Sequence, residues 1–277
     1  MKIWSYAVIW NEEKILEFYL RHYSQYCDKM IFFDNESDDR SREIIESYPN
    51  TEIRTYNTNG AFNDAVHMQL KHDAINDSRG NCDYVIVGDC DEIIHHPDLI
   101  GFLKSHLNKT AVFYPAGYQM VANVFPQPDQ QIYDEVKEGV PNPWYSKPIL
   151  INPNMIHEFA WVGGQHEIEP DSFFYGGIYH TVPESVRPEG AYKDHRWGKW
   201  KIMYDLLHIF NKEPLKLLHY KFISAEYVTH KHIQYVNRNS ESTIDIGAGS
   251  EYDKTSTLET AQQEIDRLLS QSETLDI

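Results

Sequence analysis

Short apolar runs alternate with amphipathic segments through the first third of the chain. The runs at 3–9, 30–33, 52–56 and 83–88 are rich in β-branched and aromatic residues, which is typical of strands. Between them, apolar residues recur at helical spacing, and the first of these segments follows Asn11, a residue suited to cap a helix. The alternation predicts an α/β fold, Rossmann-like, in which a mostly parallel central sheet carries helices on both faces.

The rest of the chain predicts fewer regular elements. Strands are expected at 149–151, 173–180 and 215–220, and helices over 197–210 and 258–269. Segment 123–148, rich in proline and aromatic residues, is predicted to be a long excursion over the surface. We predict a main domain over 1–222 and a C-terminal helical extension over 223–277 that packs on this domain or on a partner subunit.

An acidic turn, Asp-Cys-Asp-Glu at 89–92, directly follows the fourth predicted strand. The carboxylates of Asp89 and Asp91 can converge on one hard cation, and such a cation can bridge two phosphates. Parallel sheets bind ligands beyond the carboxyl ends of their strands, where Asn11 and Asp34 are also expected. An Asp-x-Asp sequence occurs by chance in many acidic loops, but its place after a buried strand favours a metal and diphosphate site.

Asp34 and Asn35 open a second acidic segment, which follows the second predicted strand. An oxygen of either side chain can accept the N3–H of uracil or bond a ribose hydroxyl. Ser37 or Asp38 can cap the next helix. Both roles are compatible, because different residues would perform them.

Three further residues are candidates with ordinary alternatives. Glu167 follows a glycine turn and could act as a general base for a hydroxyl nucleophile, although a surface strand also explains it. His219 could complete a Mn²⁺ shell as a neutral imidazole, but a histidine after an apolar pair is more often a core residue. Lys147 is one of several cations that could stabilise a leaving diphosphate.

Composition narrows the class of protein. The net charge of −17 over 277 residues argues against a nucleic-acid partner, since such binding depends on lysine and arginine. Cys27, Cys82 and Cys90 are widely spaced and form no metal or redox motif, which indicates free thiols in a reducing compartment. No secretory signal is visible, and no apolar stretch approaches the roughly 20 residues of a membrane span. We therefore expect a soluble, cytoplasmic protein.

In their order along the chain, these motifs resemble those of family-2-like glycosyltransferases with the GT-A fold. The matching segments are 11–13, 33–39, 87–92, 147–149, 164–167 and 218–220, followed by Lys231 and 237–239. The resemblance covers about residues 3–239. The chain departs from the family at Glu36, where glycine is common, at Cys90 inside the acidic motif, and at 62–71, which replaces the usual small-residue donor segment.

The resemblance implies an inverting, metal-dependent transfer of a sugar from a nucleotide sugar, with a UDP-sugar favoured, to a hydroxyl of a glycan or glycolipid acceptor. The Mn²⁺ or Mg²⁺ cofactor would be held by Asp91, Asp89 and His219. Glu167 would be the catalytic base, with His166 beside it. The nucleotide sugar would contact Asn11, Asp34, Asn35, Asp64, Lys71, Asp89 and Lys147.

Two alternatives remain open at this point. A sugar-1-phosphate nucleotidyltransferase also carries acids on an α/β sheet, but it needs a glycine-rich phosphate loop near its start, and residues 4–13 contain no glycine. A non-catalytic glycan- or nucleotide-binding domain could use the same scaffold, although the intact acidic triplet speaks against it. The C-terminal helices could also support a homo-oligomer.

Overall fold

The computed structural model describes residues 1–156, 159–162, 165, 167–170, 177–180, 215–238 and 254–277. In chain order its strands are β1 (Ile3–Ile9), β2 (Lys29–Asp34), β3 (Thr51–Thr55), β4 (Tyr84–Gly88), β5 (Glu92–His95), β6 (Thr110–Tyr114), β7 (Ala116–Ala122), β8 (Glu138–Pro141), β9 (Leu150–Ile151), β10 (Phe159–Val162), β11 (Glu167–Pro170), β12 (Gly177–His180), β13 (Lys216–Ile223) and β14 (Glu273–Thr274). The helices are α1 (Leu16–Tyr23), α2 (Ser41–Glu46), α3 (Asp64–Ser78), α4 (Leu99–His106), α5 (Ile132–Glu135), α6 (Ala225–Arg238) and α7 (Leu258–Leu269), and a 3₁₀ turn lies at Pro143–Tyr145.

A seven-stranded sheet, in the order β12-β6-β9-β4-β1-β2-β3, forms the centre of the molecule. β1 pairs in parallel with both β2 and β4, and β2 pairs in parallel with β3. Among the strands that the structure describes, β9 alone runs against its neighbours, β4 and β6. The predicted α/β class with a mostly parallel central sheet is confirmed, and the architecture is Rossmann-like.

The apolar runs are continuous because both faces of the sheet are covered. Ala7, Phe32 and Ile86 contribute to one core together with residues of α1. Their neighbours Tyr6 and Phe33 contribute to a second core, which includes residues of α3. Successive strand residues point to opposite faces, so helices lie on both sides, as the alternating pattern predicts.

A second sheet, in the order β14-β8-β7-β13-β5, adjoins the first. β13 is its centre, antiparallel to β5 and parallel to β7. The chain crosses from the central sheet to the second sheet through the acidic turn, because β4 ends at Gly88 and β5 begins at Glu92. The turn therefore lies at the junction of the two sheets.

Two local expectations were wrong. Asn11 does not cap the first helix, which begins at Leu16 after a turn; Asn11 instead adopts a left-handed backbone conformation with φ of 53°. Segment 123–148 is not a surface excursion throughout, since it contributes α5 and the strand β8, and Ile132 and Val136 are buried. The helix predicted over 197–210 lies outside the described residues.

The described part of the tail packs on the rest of this chain. Ala261, Ile265 and Leu268 of α7 share a small core with Val121 of β7 and Val228 of α6. β14 adds an edge strand beside β8. The division into two domains at residue 222 stays a prediction. None of the described helices is long and apolar enough to cross a membrane.

Candidate functional site

Glu92 and its partners hold the acidic turn in shape. Its carboxylate accepts hydrogen bonds from Lys147 Nζ at 2.5 Å and from the Asp89 backbone N–H at 3.1 Å. A Cβ atom on Gly88 would lie only 3.0 Å from Glu92 Oε2, so glycine leaves room for this buried carboxylate. Burial opposes the charge of Lys147, but attraction to Glu92 outweighs it and raises the lysine pKa. Glu92 thus fixes the turn, and Lys147 brings a positive charge to it.

Strand pairing brings His219 to Asp91. His219 on β13 lies opposite Glu92 on β5, and the Tyr220 backbone N–H donates to the Asp91 carbonyl oxygen at 2.8 Å. In this register His219 Nε2 lies 3.5 Å from Asp91 Oδ2. The ring of Tyr145 stacks on His219, with centroids 4.3 Å apart and an interplanar angle of 30°.

Gln119 sets the tautomer of His219. Its Nε2 donates to the carbonyl oxygens of Met120 and His219, both at 3.0 Å, which leaves Oε1 as an acceptor 3.0 Å from His219 Nδ1. Nδ1 therefore carries the proton and Nε2 carries a lone pair. Burial lowers the pKa of His219 to about 3, so the ring is neutral at neutral pH. Burial and the charge of Asp89 raise the pKa of Asp91.

Asp91 Oδ2 and His219 Nε2 are two acceptors that face each other, and a cation between them satisfies both. One carboxylate oxygen and one imidazole nitrogen suit Mn²⁺, and the oxygen suits Mg²⁺. Among the described residues, no three His, Cys, Asp or Glu side chains are close enough to hold a metal ion by themselves. The donor set thus fits an ion that takes its remaining ligands from substrate phosphates and water.

Asp89, the third predicted metal ligand, is paired with a lysine. Its Oδ1 accepts from Lys71 Nζ at 2.9 Å, and Lys71 also donates to Gln165 Oε1 at 2.7 Å. Burial works against the charge of Asp89, but attraction to Lys71 and Lys147 outweighs it and lowers the carboxyl pKa. Asp64 lies within electrostatic range, since burial raises its pKa while Lys71 lowers it and Asp89 raises it. Of the residues predicted to bind the donor, Lys71 and Asp89 are thus paired directly, and Asp64 is close enough for both charges to act on it.

The other predicted donor residues make structural contacts. Asp34 is fully buried; its carboxylate pairs with Arg42 Nη1 at 2.5 Å and accepts the Ser37 N–H at 3.0 Å. Asn35 Nδ2 donates to Thr58 Oγ1 at 2.8 Å. These bonds fix the loop after β2 and use the side-chain groups that were expected to contact the nucleobase. Nucleobase contacts at Asp34 and Asn35 therefore stay a prediction.

Asn11 ties the exit of β1 to the same loop. Its Nδ2 donates to Asp38 Oδ1 at 2.6 Å, and its Oδ1 accepts the Asp38 N–H at 2.9 Å. Glu36, where the family often has glycine, adopts a φ of 58°, which is a conformation that glycine takes at little cost. Glutamate in place of glycine at position 36 therefore costs some backbone strain.

Helix α6 closes the carboxyl edge over β1. Lys231 Nζ donates to Glu12 Oε1 at 2.6 Å, and both side chains are about one-tenth exposed. The Arg238 guanidinium lies 3.6 Å from the centre of the Trp10 ring, and its Nε donates to the Gly60 carbonyl at 2.9 Å. Burial raises the pKa of Glu12 to about 7; Lys231 opposes this, and Asp91 and Asp89 add to it.

The predicted catalytic pair is only partly described. Glu167 is the first residue of β11 and lies opposite Val162 in the β10–β11 hairpin. His166 lies outside the described residues. Their catalytic roles stay a prediction.

Sequence reasoning missed Gln119 as part of the site, and it assigned no individual role to Tyr145 in segment 123–148 or to Gln165 in the matching segment 164–167. No local pattern marks Gln119, since it meets His219 only through the pairing of β7 with β13. Glu12 belonged to a matching motif, but its partner Lys231 is more than 200 positions away in the sequence. No local sequence pattern could therefore indicate that the two residues form an ion pair.

Comparisons with known proteins give loose likenesses only. The chain matches no family model and no curated protein. Glucosyl-3-phosphoglycerate synthase from Mycobacterium tuberculosis, solved with Mn²⁺, UDP and glucosyl-3-phosphoglycerate, is 14% identical over 43% of this chain and 44% of that chain, with a TM-score of 0.30. 4-Diphosphocytidyl-2C-methyl-D-erythritol synthase is 12% identical over 56% of this chain and 77% of that chain, with a TM-score of 0.32. The alignment spans less than half of the glucosyl-3-phosphoglycerate synthase, and likenesses of this size carry no inference about activity.

Proposed function

We propose that this protein is an inverting, metal-dependent glycosyltransferase that moves a sugar from a nucleotide sugar to a hydroxyl of a glycan or glycolipid acceptor. The observation that carries the proposal is the pair formed by Asp91 and His219. Two groups with free lone pairs face each other 3.5 Å apart at the carboxyl edge of a doubly covered sheet. Ligands of such sheets bind at this edge.

The site has the charges that a nucleoside diphosphate leaving group needs. Asp91 and His219 would hold Mn²⁺ or Mg²⁺, and such an ion supplies Lewis-acid stabilisation to the departing diphosphate. Lys71 and Lys147 place two further positive charges at the same turn, bound to Asp89 and Glu92. Preorganised cations of this kind stabilise charge that develops on a leaving group.

Transfer requires a proton acceptor on the acceptor side. Glu167, the base expected from the sequence, would take the proton from the acceptor hydroxyl. The hydroxyl oxygen then attacks the anomeric carbon from the face opposite the diphosphate, and the bond from that carbon to the diphosphate oxygen breaks. A single displacement of this kind inverts the anomeric configuration.

A UDP-sugar remains the favoured donor, as a proposal from the sequence. Thermal shift with UDP, GDP and CMP, each with and without Mn²⁺, tests this choice. We expect the largest metal-dependent shift with UDP. A larger shift with GDP or CMP would contradict the choice of uracil as the nucleobase, but it would not contradict the proposed metal site.

The proposal as a whole is tested by hydrolysis of UDP-sugars with Mn²⁺ and with EDTA, in wild type, Asp91→Asn and the exposed control Asp129→Asn. We expect hydrolysis that needs metal, is lost in Asp91→Asn and is unchanged in Asp129→Asn. Full activity in EDTA would contradict the proposal. Release of pyrophosphate from UTP and a sugar 1-phosphate would show a nucleotidyltransferase instead.

A further inference from the structure

A buried glutamine ties the tip of the β10–β11 hairpin to the acidic turn. Gln165 lies at this tip, between the end of β10 and the start of β11, and is 1% exposed. Its Oε1 accepts a hydrogen bond from Lys71 Nζ at 2.7 Å, and its Nε2 donates to the Val87 carbonyl oxygen at 2.5 Å. The same lysine nitrogen donates to Asp89 at 2.9 Å. Both polar groups of Gln165 therefore bond to residues at the end of β4 or to their lysine partner.

The backbone of Gln165 adopts a conformation that favours glycine. Its φ is 77°, in the left-handed region, where a residue with a Cβ atom is strained. Such a conformation persists only where the surrounding contacts hold the residue in place. The two hydrogen bonds of the Gln165 side chain are contacts of this kind. The strain thus indicates that the side chain at this position has a task that glycine could not perform.

Other contacts attach the strands of the hairpin to the rest of the molecule. Ile168 is buried in the second core, and Phe159 packs against that core. The Phe159 ring lies against His72 of α3, with centroids 4.6 Å apart, and the Ile168 N–H donates to the Tyr114 hydroxyl at 3.2 Å. These contacts join the strands to α3 and β6. Gln165 makes a separate attachment, at the tip.

The proposed base follows this attachment closely in the chain. Glu167 begins β11, two positions after Gln165, and two residues span at most about 7 Å of extended chain. The backbone of Glu167 is therefore held near Gln165, whose side chain is bonded to the end of β4. Catalytic groups act only from the correct position, and a misplacement of about 1 Å can lower a rate about 100-fold. The attachment at Gln165 thus controls where the backbone that carries the base lies.

We propose that Gln165 is a positioning residue for the transfer, which holds the start of the strand that carries Glu167 at a fixed place relative to Lys71 and Asp89. The inference rests on the proposed glycosyl transfer and its proton acceptor. It extends that proposal by naming the connection between the charges that would face the departing diphosphate and the residue that would take the proton. Lys71 is the shared partner, because it bonds to Asp89 and to Gln165.

Hydrolysis of a nucleotide sugar by the full chain tests the inference, because water then replaces the acceptor hydroxyl. The water oxygen attacks the anomeric carbon, the bond from that carbon to the diphosphate oxygen breaks, and Glu167 takes a proton from the water. The probes are UDP-glucose, UDP-galactose, UDP-N-acetylglucosamine and GDP-mannose, each with Mn²⁺. The probe that wild type hydrolyses fastest is used to measure kcat for every variant, and titration measures the affinity for UDP with Mn²⁺.

Gln165→Met keeps the length of the side chain and removes both hydrogen bonds. It is made alone and together with Glu167→Gln. Ile168→Val is the matched control, because it removes one buried methyl group from β11 and leaves Gln165 unchanged. Thermal unfolding checks that each variant folds. If Gln165→Met does not fold, Gln165→Asn replaces it, since asparagine tolerates the left-handed conformation but is one methylene too short to keep both bonds.

We expect Gln165→Met to lower kcat about 10- to 100-fold while the affinity for UDP with Mn²⁺ stays within about twofold of wild type. In the Glu167→Gln background the same substitution should cause no further loss, because it acts through Glu167. Ile168→Val should keep the wild-type kcat. An unchanged kcat in Gln165→Met, the same fold loss in both backgrounds, or a loss of UDP affinity as large as the loss of kcat would overturn the inference.

Two further results separate this inference from the proposed function. A wild-type kcat in Glu167→Gln would show that another group takes the proton, which would overturn the role of Gln165, while metal-dependent hydrolysis would still support a transferase. Wild type that hydrolyses none of the probes and does not bind UDP with Mn²⁺ would refute the proposed function itself.

Discussion

At the scale of single residues, the site depends on which nitrogen of His219 carries its proton. Gln119 decides this from the neighbouring strand, since its Oε1 lies 3.0 Å from Nδ1 and leaves the lone pair on Nε2. That lone pair then faces Asp91. In the proposed metal site, a residue with no contact to substrate would thus control metal affinity, as hydrogen-bond partners of metal-binding histidines generally do.

Gln119→Leu removes the acceptor that holds the Nδ1 proton. We expect the affinity for Mn²⁺ in the presence of UDP to fall about 10- to 100-fold, because the imidazole loses its fixed tautomer and orientation. Isothermal titration would measure it. Unchanged affinity in Gln119→Leu would show that the tautomer is set by other means.

Glu12 makes stability depend on pH. Burial raises its pKa from 4.5 to about 7, so the folded protein binds its proton more tightly than the unfolded chain does. Protonated Glu12 contributes fully to the unfolding free energy below its pKa of 4.5 in the unfolded chain, and this contribution is lost as pH rises through about 7. The contribution lost over this pH range is about 3 kcal/mol.

We therefore expect Glu12→Gln to lose less unfolding free energy than wild type between pH 5 and pH 7.5, by about 2 kcal/mol. Urea unfolding at the two pH values measures this, and Glu52→Gln at the far edge of the sheet serves as the control acid. Equal pH dependence in wild type and Glu12→Gln would contradict the raised pKa.

At the scale of elements, two strands build the site together. β5 is four residues long and carries the chain out of the acidic turn, and β13 pairs with it so that His219 meets the turn. The 3₁₀ turn that carries Tyr145 packs against β7 at Gly117, where a Cβ atom would lie 2.3 Å from the Tyr145 carbonyl carbon. Glycine is therefore required for this close approach.

Gly117→Ala should displace the 3₁₀ turn and move the Tyr145 ring off His219. We expect a loss of about 1–3 kcal/mol of stability and weaker Mn²⁺-dependent UDP binding, because the histidine loses its stacked partner. Gly139→Ala is the matched control, since its Cβ would press on Leu275 of the tail, at 2.9 Å. It should cost stability but leave UDP binding unchanged. Equal effects of both variants on UDP binding would argue against a role for the turn.

At the scale of the whole molecule, the tail belongs to the folded body. β14 extends the second sheet, and α7 buries Ala261, Ile265 and Leu268 against β7 and α6. α6 in turn covers the carboxyl edge of β1 through Lys231 and Arg238. The tail thus supports the helix that closes the site, while assembly through the C-terminal helices stays a proposal.

Ile265→Ala tests this support, because Ile265 is fully buried. We expect a loss of about 2–5 kcal/mol in unfolding free energy, as is usual when a large core side chain is truncated. Arg267→Ala, on the exposed side of the same helix, should change stability by less than about 0.5 kcal/mol. Denaturant unfolding compares the two, and light scattering shows whether either changes the oligomeric state. A neutral Ile265→Ala would mean that α7 adds little to the fold.

The sequence by itself determined the parallel half of the fold and the place of the acidic turn. Strands β1 to β4 are buried on both faces, so they appear as continuous apolar runs, and the carboxyl edge follows from their order. The same pattern was misleading at 123–148, where prolines indicated a loop although Ile132 and Val136 enter the core. It also placed a helix cap at Asn11, which uses its side chain to bind Asp38.

Only the tertiary structure decided which distant residues meet at that edge. His219 reaches Asp91 through strand pairing, Gln119 reaches His219 from the neighbouring strand, and Lys231 reaches Glu12 from α6. The physical reason is that local pattern reports burial and periodicity, which depend on near neighbours in the chain. The register between distant strands and the docking of a helix are set by packing of the whole core, and the chemistry of the site depends on both.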